Sequence, residues 1–582
     1  MRRDVRILVL GDDGTGKSTL IMSLIKETFI PNVQHVVPEV TIPPEITPEN
    51  VTTYIVDSSA RPENRDHLEN EIRRAHVICV VYAIDDMRTF DRIPQHWLPY
   101  IRSLGVSVPV VLVGNKIDLR GNDVTNQSLE DDIIPIMNEF KEVETCVECS
   151  SRQPLNVSEV FYFAQKAVLH PTAPLYDARD HALKPTCMEA LRRIFKLCDQ
   201  DKDGVLNDME LNEFQRKCFN APLQQQELEG VKDVVREYNQ DGVNEYGLTE
   251  AGFIYLHTLF IQKGRLETTW TVLRRFGYGD DLVLDEGFLY PAMDIPPQCS
   301  LELSHNGYQF LTELFQACDK DRDGALNERE LIELFSTTPG NPWATVGFPE
   351  STITNEAGWV TLQGFLAQWS LMTLLDHRTT LAYLAYLGYN GDTREAFKIT
   401  RPRKAERRRG RVQRSVLLCY VLGPAGAGKR SLLRTFVGKP MLPGYTPTTR
   451  PLSTVNTVEI KGSERYLVLQ EVGSKYQEEL LLDKRKLDMC DLLCFVYDAS
   501  DANSFEYVAN LRREHDLDDI PTVFVATKCD LDPVQQRFDV PPDVYCRNLG
   551  LAPPLSISVA THRTADIFSV LASIAMNPYV GG

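Results

Sequence analysis

The sequence predicts a multidomain chain, with a mostly parallel α/β fold at each end and two all-α units between them. Three observations carry this expectation. Apolar strand patterns alternate with helical patterns over residues 1–170 and again over 415–582. Between 186 and 398 the strand patterns disappear and helical ones take over. Two glycine-rich stretches, "GDDGTGKS" at 11–18 and "GPAGAGKR" at 423–430, each follow a strand pattern and open a helical one.

At the first end the strands are "VRILVLG", "TYIVDSS", "VICVVYAID", "VPVVLVGNKID" and "TCVECSS". Their alternation with helices implies a sheet covered on both faces. In "GDDGTGKS", Gly11, Gly14 and Gly16 let backbone N–H groups curl around phosphates without a Cβ in the way. Lys17 can then reach the β- and γ-phosphates of a nucleotide, and the Ser18 hydroxyl can ligate Mg²⁺. Asp57 closes a strand and is placed to hold the same ion through water. In "NKID", Asp118 can accept from the N1–H and 2-amino groups of guanine, which adenine cannot match. Asn115 braces the loop and the Lys116 stem packs on the base. Ser150 and Ser151, ending the last strand, are expected to offer backbone N–H groups to the guanine O6.

The stretch 171–185 breaks the pattern and reads as a linker. The middle then repeats. "DQDKDGVLNDME" at 199–210 returns as "DKDRDGALNERE" at 319–330, "GLTEAGF" as "VTLQGF", and "TTWTVLRRFGY" as "TTLAYLAYLGY". Three matches in one order indicate two copies of one unit, 186–295 and 296–398. Each acidic stretch packs five carboxylates into twelve residues. A pair of like charges at ~4 Å and an effective dielectric near 20 costs about 4 kcal/mol, so a cation is needed to balance them. The spacing is that of an EF-hand calcium loop. Asp199, Asp201 and Asp203 supply side-chain oxygens, Val205 its carbonyl, Asn207 the ninth position (often through water), and Glu210 both carboxylate oxygens. Asp319, Asp321, Asp323, Ala325, Asn327 and Glu330 do the same in the second copy, giving two Ca²⁺ sites. The first loop carries one lysine against its five acids, a net −4; the second carries three bases, a net −2. The first is therefore expected to bind more tightly. The partner hands, "DGVNEYGLTEAGF" and "EAGWVTLQGF", lack the ligand ladder and are expected to pair without metal. The apolar segments "TTWTVLRRFGY" and "TTLAYLAYLGY" are either core helices or fillers of the groove that an opening hand would expose. A filled groove implies that calcium stabilises the hands with little change of shape.

The basic run at 399–414 reads as a solvated linker or strand entry, with a site for an anionic partner as the alternative. In the last domain Gly423, Gly426, Gly428 and Lys429 keep the phosphate loop, but Arg430 stands where a Mg²⁺-ligating hydroxyl belongs and Ser431 comes one residue late. Arg430 puts a positive charge where the metal would be. The aspartate motif reads "QEVG", so its carboxylate is lost or shifted to Glu471. "TKCD" supplies Thr527, Lys528 and Asp530 for guanine, and Thr448 is a switch candidate. Nucleotide binding is expected here, and efficient Mg²⁺-assisted hydrolysis is not.

Residues 4–168 resemble the small Ras/Rho-type GTPases in the order of four motifs. That resemblance implies GTP/GDP and Mg²⁺ as cofactors, Lys17 and Asp57 as catalytic, and Thr41 as the switch threonine that senses the γ-phosphate. Two departures stand out. Asp57-Ser58-Ser59-Ala60-Arg61 lacks the glycine and the water-positioning glutamine, and Asp13 adds negative charge to the phosphate loop. Both imply slow hydrolysis. Arg61 is either a finger supplied in cis or a surface arginine. The order of two such domains around two EF-hand units resembles the Miro family, the mitochondrial Rho-like GTPases. The resemblance implies an outer mitochondrial membrane location facing the cytosol, a role in mitochondrial transport, distribution and morphology, and, in fungi, contacts with the endoplasmic reticulum. It also implies protein adaptors or contact-site proteins as partners and a C-terminal membrane anchor, which this sequence does not contain before its end at "MNPYVGG".

The net charge of −19 argues against non-specific nucleic-acid binding, which needs a basic footprint. Thirteen scattered cysteines suit a reducing compartment; "CVEC" has redox spacing but fits a strand. The opening "MRRDVRILVLGDD" is expected to be a strand and not a signal peptide. Three readings stand: a calcium-responsive, GTP-hydrolysing switch; a pseudo-GTPase scaffold with locked nucleotide; and a calcium sensor without turnover.

Overall fold

The computed structural model describes residues 4–121, 126–564 and 566–578. Residues 579–582 of the closing "MNPYVGG" lie outside the described part. The chain divides into two units, Met1–Cys198 with Gly204–Leu284, and Asp285–Gly582 with Asp199–Asp203.

The first unit opens with a six-stranded sheet. Its order is Val40–Ile42, Thr52–Val56, Asp4–Leu10, Val77–Ala83, Val110–Asn115 and Val143–Glu148. All neighbours are parallel except the first pair. Strand Val77–Ala83 is buried along its whole length, as a central strand covered on both faces must be. The expected linker is not featureless: Tyr176–Asp177 pairs with Ala182–Leu183, and Leu175 is fully buried. A helical region follows. Helix Pro185–Cys198 enters the first acidic loop and Asp208–Phe219 leaves it. Val205–Leu206 pairs antiparallel with Leu248–Thr249 of the ligand-poor hand, which is the short sheet that couples paired hands. Helix Leu266–Arg275, from "TTWTVLRRFGY", buries Trp270 and Leu273 in one core with Leu211 and Phe214 of the exit helix. The Trp270 indole N–H donates to the Pro171 carbonyl at 2.9 Å, tying the helical region to the end of the α/β domain.

The second unit repeats the scheme in reverse order. Helices His305–Cys318 and Glu328–Leu334 flank the second acidic loop, and Ala325–Leu326 pairs with Val360–Thr361. Helix His377–Tyr386, from "TTLAYLAYLGY", buries Leu381 and Leu384 with Leu331, Leu334 and Phe335. The last domain has a six-stranded sheet of the same order: Leu452–Ile460, Ser463–Glu471, Val416–Leu422, Leu492–Asp498, Thr522–Thr527 and Leu555–Ser556. Ala367 and Leu371 of helix Leu362–Leu375 belong to this domain's core, so hand and α/β domain share buried surface.

The expectation of a solvated basic linker fails at 399–414. Residues Arg403–Arg408 form a helix in which Arg403, Glu406 and Arg407 are buried. The Arg403 Nε donates to Asp491 Oδ1 at 3.2 Å, and Arg414 pairs with both Glu406 and Asp491. Burial alone would push the Asp491 carboxyl up, but the nearby Arg403 and Arg414 hold it below the usual range. A run of like charge is solvated only when no acid meets it. Asp491 and Glu406 meet it here, and breaking such a buried pair by removing one partner costs ~3–5 kcal/mol. Among the described residues no helix is long and apolar enough to cross a membrane.

Candidate functional site

At the first end the phosphate loop connects strand Asp4–Leu10 to helix Lys17–Lys26. It borders a cleft of about 400 Å³ lined by Gly14, Gly16, Lys17, Ser18, Asn115, Lys116, Asp118 and Ser151 among others. Gly11, Gly14 and Gly16 all have positive φ, and a Cβ on Gly11 would fall 2.3 Å from the Val81 carbonyl oxygen. Lys17 is buried, and its ammonium donates to the carbonyls of Gly11 (2.7 Å) and Asp12 (2.9 Å). Desolvation lowers its pKa, while Asp57, Asp13 and Asp12 oppose the shift. The Ser18 hydroxyl donates to Asp57 Oδ2 at 2.5 Å, so the two expected metal ligands lie side by side. Asp57 also accepts from the N–H groups of Val37 and Ser58. A hydroxyl and a carboxylate are the hard oxygen donors Mg²⁺ takes, so these residues fit the ion.

The base-reading corner is equally preformed. Asn115 Nδ2 donates to the Thr15 carbonyl (3.0 Å), bracing the phosphate loop as expected. Lys116 has a left-handed backbone and pairs with Asp85 at 3.2 Å. The Ser150 hydroxyl donates to Asp118 Oδ1 at 2.6 Å, aiming the carboxylate. The expected role of the serine N–H groups is corrected. Ser150 N–H donates to the Leu155 carbonyl within its own turn (2.9 Å), and Ser151 N–H to Asn115 Oδ1 at the end of strand Val110–Asn115 (3.3 Å), so both already have acceptors.

Thr41 is a second correction. It sits exposed on the edge strand Val40–Ile42, opposite Tyr54, and does not line the cleft. The strand begins before Thr41, so the segment facing the phosphate loop is Gln34–Val37. His35 Nε2 lies 3.0 Å from Ser59 Oγ, and Val37 N–H meets Asp57. Two arginines were not legible as partners of the loop acids. Arg61 pairs with Asp13 at 3.3 Å and Arg92 with Asp12 at 2.9 Å. Both are long-range contacts, and no local spacing signals them.

The second end reproduces the first with changed side chains. Lys429 donates to the carbonyls of Gly423 and Pro424, both at 2.8 Å, as Lys17 does to its own loop. Gly426 and Gly428 keep positive φ. Thr527 Oγ1 donates to the Ala427 carbonyl (2.7 Å), replacing the asparagine brace. Lys528 pairs with Asp498 at 2.5 Å, and the Ser558 hydroxyl donates to Asp530 Oδ1 at 2.6 Å. Strand register resolves the displaced carboxylate: Glu471 pairs with Val421, two residues before Gly423, while at the first end the register closes with Leu8 against Val56, and Asp57 follows it directly. The cleft measures about 530 Å³. Gln477, fully buried, donates to the Gly423 carbonyl (2.9 Å) and accepts from its N–H (3.1 Å), a clamp with no counterpart in the expected motifs.

The calcium loops are built alike. In the first, ligand oxygens of Asp199, Asp201 and Glu210 lie within 4.8 Å of one another; in the second, those of Asp319, Asp321 and Asp323 do. Asp203 N–H donates to Asp199 and Asp201, as Asp323 N–H does to Asp319 and Asp321. Gly204 and Gly324 make the turn with φ of 88° and 83°. The carbonyl-bearing residues Val205 and Ala325 sit on the short coupling strands. Asn207 and Asn327 cap the exit helices: each accepts from the N–H of Glu210 or Glu330 at 3.0 Å, and that glutamate accepts in return at 3.1 Å. This capping box places the last ligand at the helix start. Grouped hard oxygens of this kind fit Ca²⁺.

Comparison with known proteins agrees with this geometry. The Ras family model matches residues 6–170 and 418–544, and two EF hand associated models match 221–307 and 343–411. A protein of Cryptococcus neoformans var. neoformans serotype D called Mitochondrial Rho GTPase 1 is 57% identical over 623 residues, covering 99% of this chain and 91% of that protein. The protein of the same name from Mycosarcoma maydis is 56% identical, covering 99% and 87%. That from Neurospora crassa is 48% identical, covering 99% and 93%. The similarity runs through both Ras-like ends and the calcium-type middle in one order, and the chain therefore belongs to the Miro family of mitochondrial Rho GTPases.

Proposed function

We propose that the chain is a calcium-binding switch whose two α/β domains both take a guanine nucleotide and whose first domain alone hydrolyses GTP, slowly. The observation that carries this reading is the 2.5 Å contact between Ser18 and Asp57 beside a buried phosphate-loop lysine. Ser18 and Asp57 would hold Mg²⁺, which neutralises phosphate charge when bound. Lys17 gives up its two loop carbonyls to a phosphate. Asp118, aimed by Ser150, selects guanine. Ser58, Ser59 and Ala60 leave no amide side chain to orient an attacking water, which is why turnover is slow. The two acidic loops bind one Ca²⁺ each. By family, the switch acts in mitochondrial transport, distribution and morphology, through adaptor or contact-site proteins, from an anchored position on the outer membrane facing the cytosol.

A scaffold with locked nucleotide is the second reading, favoured by Arg430 at the metal position and by the residues after Asp57. Single-turnover GTP hydrolysis by the full chain separates the two. Removing one catalytic donor typically costs ~10²–10³-fold in rate, so Lys17→Ala should fall by that order and Lys429→Ala should leave turnover intact. Bound but unhydrolysed GTP in the parent chain selects the scaffold. Calcium binding with no nucleotide bound leaves the sensor.

A further inference from the structure

A magnesium ion does not fit the second cleft. The residue after the phosphate-loop lysine is Arg430, whose guanidinium has five N–H donors and no acceptor for a metal. The carboxylate that would face the ion is already engaged. Glu471 is buried, accepts from the Thr448 hydroxyl at 2.5 Å, and pairs with Arg430 Nε at 3.6 Å. Arg430 in turn donates to Thr448 Oγ1 at 3.0 Å. The three side chains thus close a ring where the first domain has only Ser18 and Asp57.

The ring is held shut by backbone packing. A Cβ on Gly473 would fall 2.2 Å from the Thr448 carbonyl oxygen, so only glycine lets the Thr448 segment lie this close. Glu471 Oε2 and Arg430 Nε are both buried without a hydrogen-bond partner, facing each other as an ion pair. Arg430, Thr448 and Glu471 all line the cleft beside Gly426, Gly428 and Lys429. A guanidinium recognises phosphate oxygens through paired N–H donors and keeps its charge at any physiological pH. Glu471 and Thr448 leave it oriented but one-quarter exposed toward the cleft. At the other corner, Asp530 aimed by Ser558 keeps the guanine reader.

We propose that the second α/β domain binds a guanine nucleoside di- or triphosphate without a divalent cation, with the Arg430 guanidinium, seated by Glu471 and Thr448, in the place the metal holds in the first domain. The proposal rests on the reading of this cleft as a nucleotide site. It makes the two ends respond differently to magnesium: the first exchanges nucleotide with metal supply and the second does not.

The test is mant-GTP binding to the full chain in magnesium and in chelator, with Lys17→Ala and Lys429→Ala assigning each signal to its cleft. Repeating it on the Glu210→Lys plus Glu330→Lys chain separates magnesium removal from calcium removal, and circular dichroism confirms the fold in chelator. Expected is a loss of more than about tenfold in affinity at the first cleft on chelation and less than about twofold at the second. Arg430→Ser restores a hydroxyl and should make the second cleft magnesium-dependent; Arg430→Lys keeps a charge and should leave it independent but weaker. Nucleotide that leaves the second cleft on chelation and returns with magnesium overturns the proposal while leaving the nucleotide reading intact. A second cleft that binds no mant-GTP in either condition overturns both.

Discussion

The two ends of the chain share a sheet order and a phosphate loop and differ most at one pair of side chains. Both phosphate-loop lysines rest on two carbonyls of their own loop, and Asp118 and Asp530 each accept from a serine hydroxyl at 2.6 Å. The loop brace survives a change of residue, from Asn115 to Thr527, because either side chain can donate to the same carbonyl. After the lysine the change is a gain of charge: a neutral hydroxyl beside a carboxylate at the first end, a guanidinium beside a carboxylate at the second. Phosphate cradling depends on main-chain N–H groups and tolerates drift. Cation binding depends on two particular oxygens and does not. The calcium loops show the converse, with ligand types retained and surrounding charge changed.

The largest expected effect tests what the ends have in common. Asp118→Ala and Asp530→Ala should each abolish guanine selectivity in their own cleft. Sites built to hydrogen-bond a particular group can discriminate by ~10⁴-fold against analogues lacking it. Competition of ATP and GTP against mant-GTP measures this, and equal binding of the two at either parent cleft would break the parallel.

Next come the calcium loops, where the comparison is of like with like. Glu210→Lys and Glu330→Lys should each remove one calcium site in calorimetry. Ligand at ~100 times its dissociation constant adds about 2.7 kcal/mol per site, so each variant should lose one increment of calcium-induced thermal stabilisation. The loop of net −4 should bind more tightly than that of −2. Four sites, or loss of both from either variant, would contradict the assignment.

A smaller effect probes the closed ring of the second end. Gly473→Ala forces the Thr448 segment away, and overpacking of this kind costs ~1–3 kcal/mol, read as a lower melting temperature of the second unit. An unchanged melting temperature would mean that the segment is free to shift.

The smallest concerns pH. Burial, with a further contribution from Arg430 and against the pull of Glu471, lowers the Lys429 pKa to about 8. A bound phosphate favours the ammonium form. Below pH 8 that form is already present, and above it binding must draw in a proton. Affinity for mant-GTP at the second cleft should therefore be level below about pH 8 and fall by up to about tenfold per pH unit above it. A profile that stays level to pH 10 would show that the lysine remains charged.

Much of this molecule was legible because its chemistry is contiguous. The glycine loops, the lysines, Asn115 and Asp118, and both calcium ladders are set by spacing within about a dozen residues, and backbone geometry leaves such motifs few other shapes. The five parallel strands of each sheet lie where apolar runs placed them, since a strand buried on both faces must be apolar throughout, whereas the antiparallel edge strands Val40–Ile42 and Leu452–Ile460 were not read from the sequence. The misplaced features depend on partners that the motif itself does not contain. Thr41 fell on an edge strand because pairing with Tyr54 claimed it. Ser150 spent its N–H group on a turn and Ser151 on the Asn115 side chain. Arg403 and Arg414 went into the interior because Asp491 and Glu406 were there to receive them, and Arg407 because the Asp519 and Cys490 carbonyls accept from it. The sequence by itself determined which ligands each loop could offer: phosphate donors, guanine acceptors, calcium oxygens. Only the tertiary structure decided which of them meet, that Glu471 stands opposite Val421 and that Arg430 pairs with it, because strand neighbours and buried charge partners are chosen by packing across tens of residues and leave no trace in local spacing.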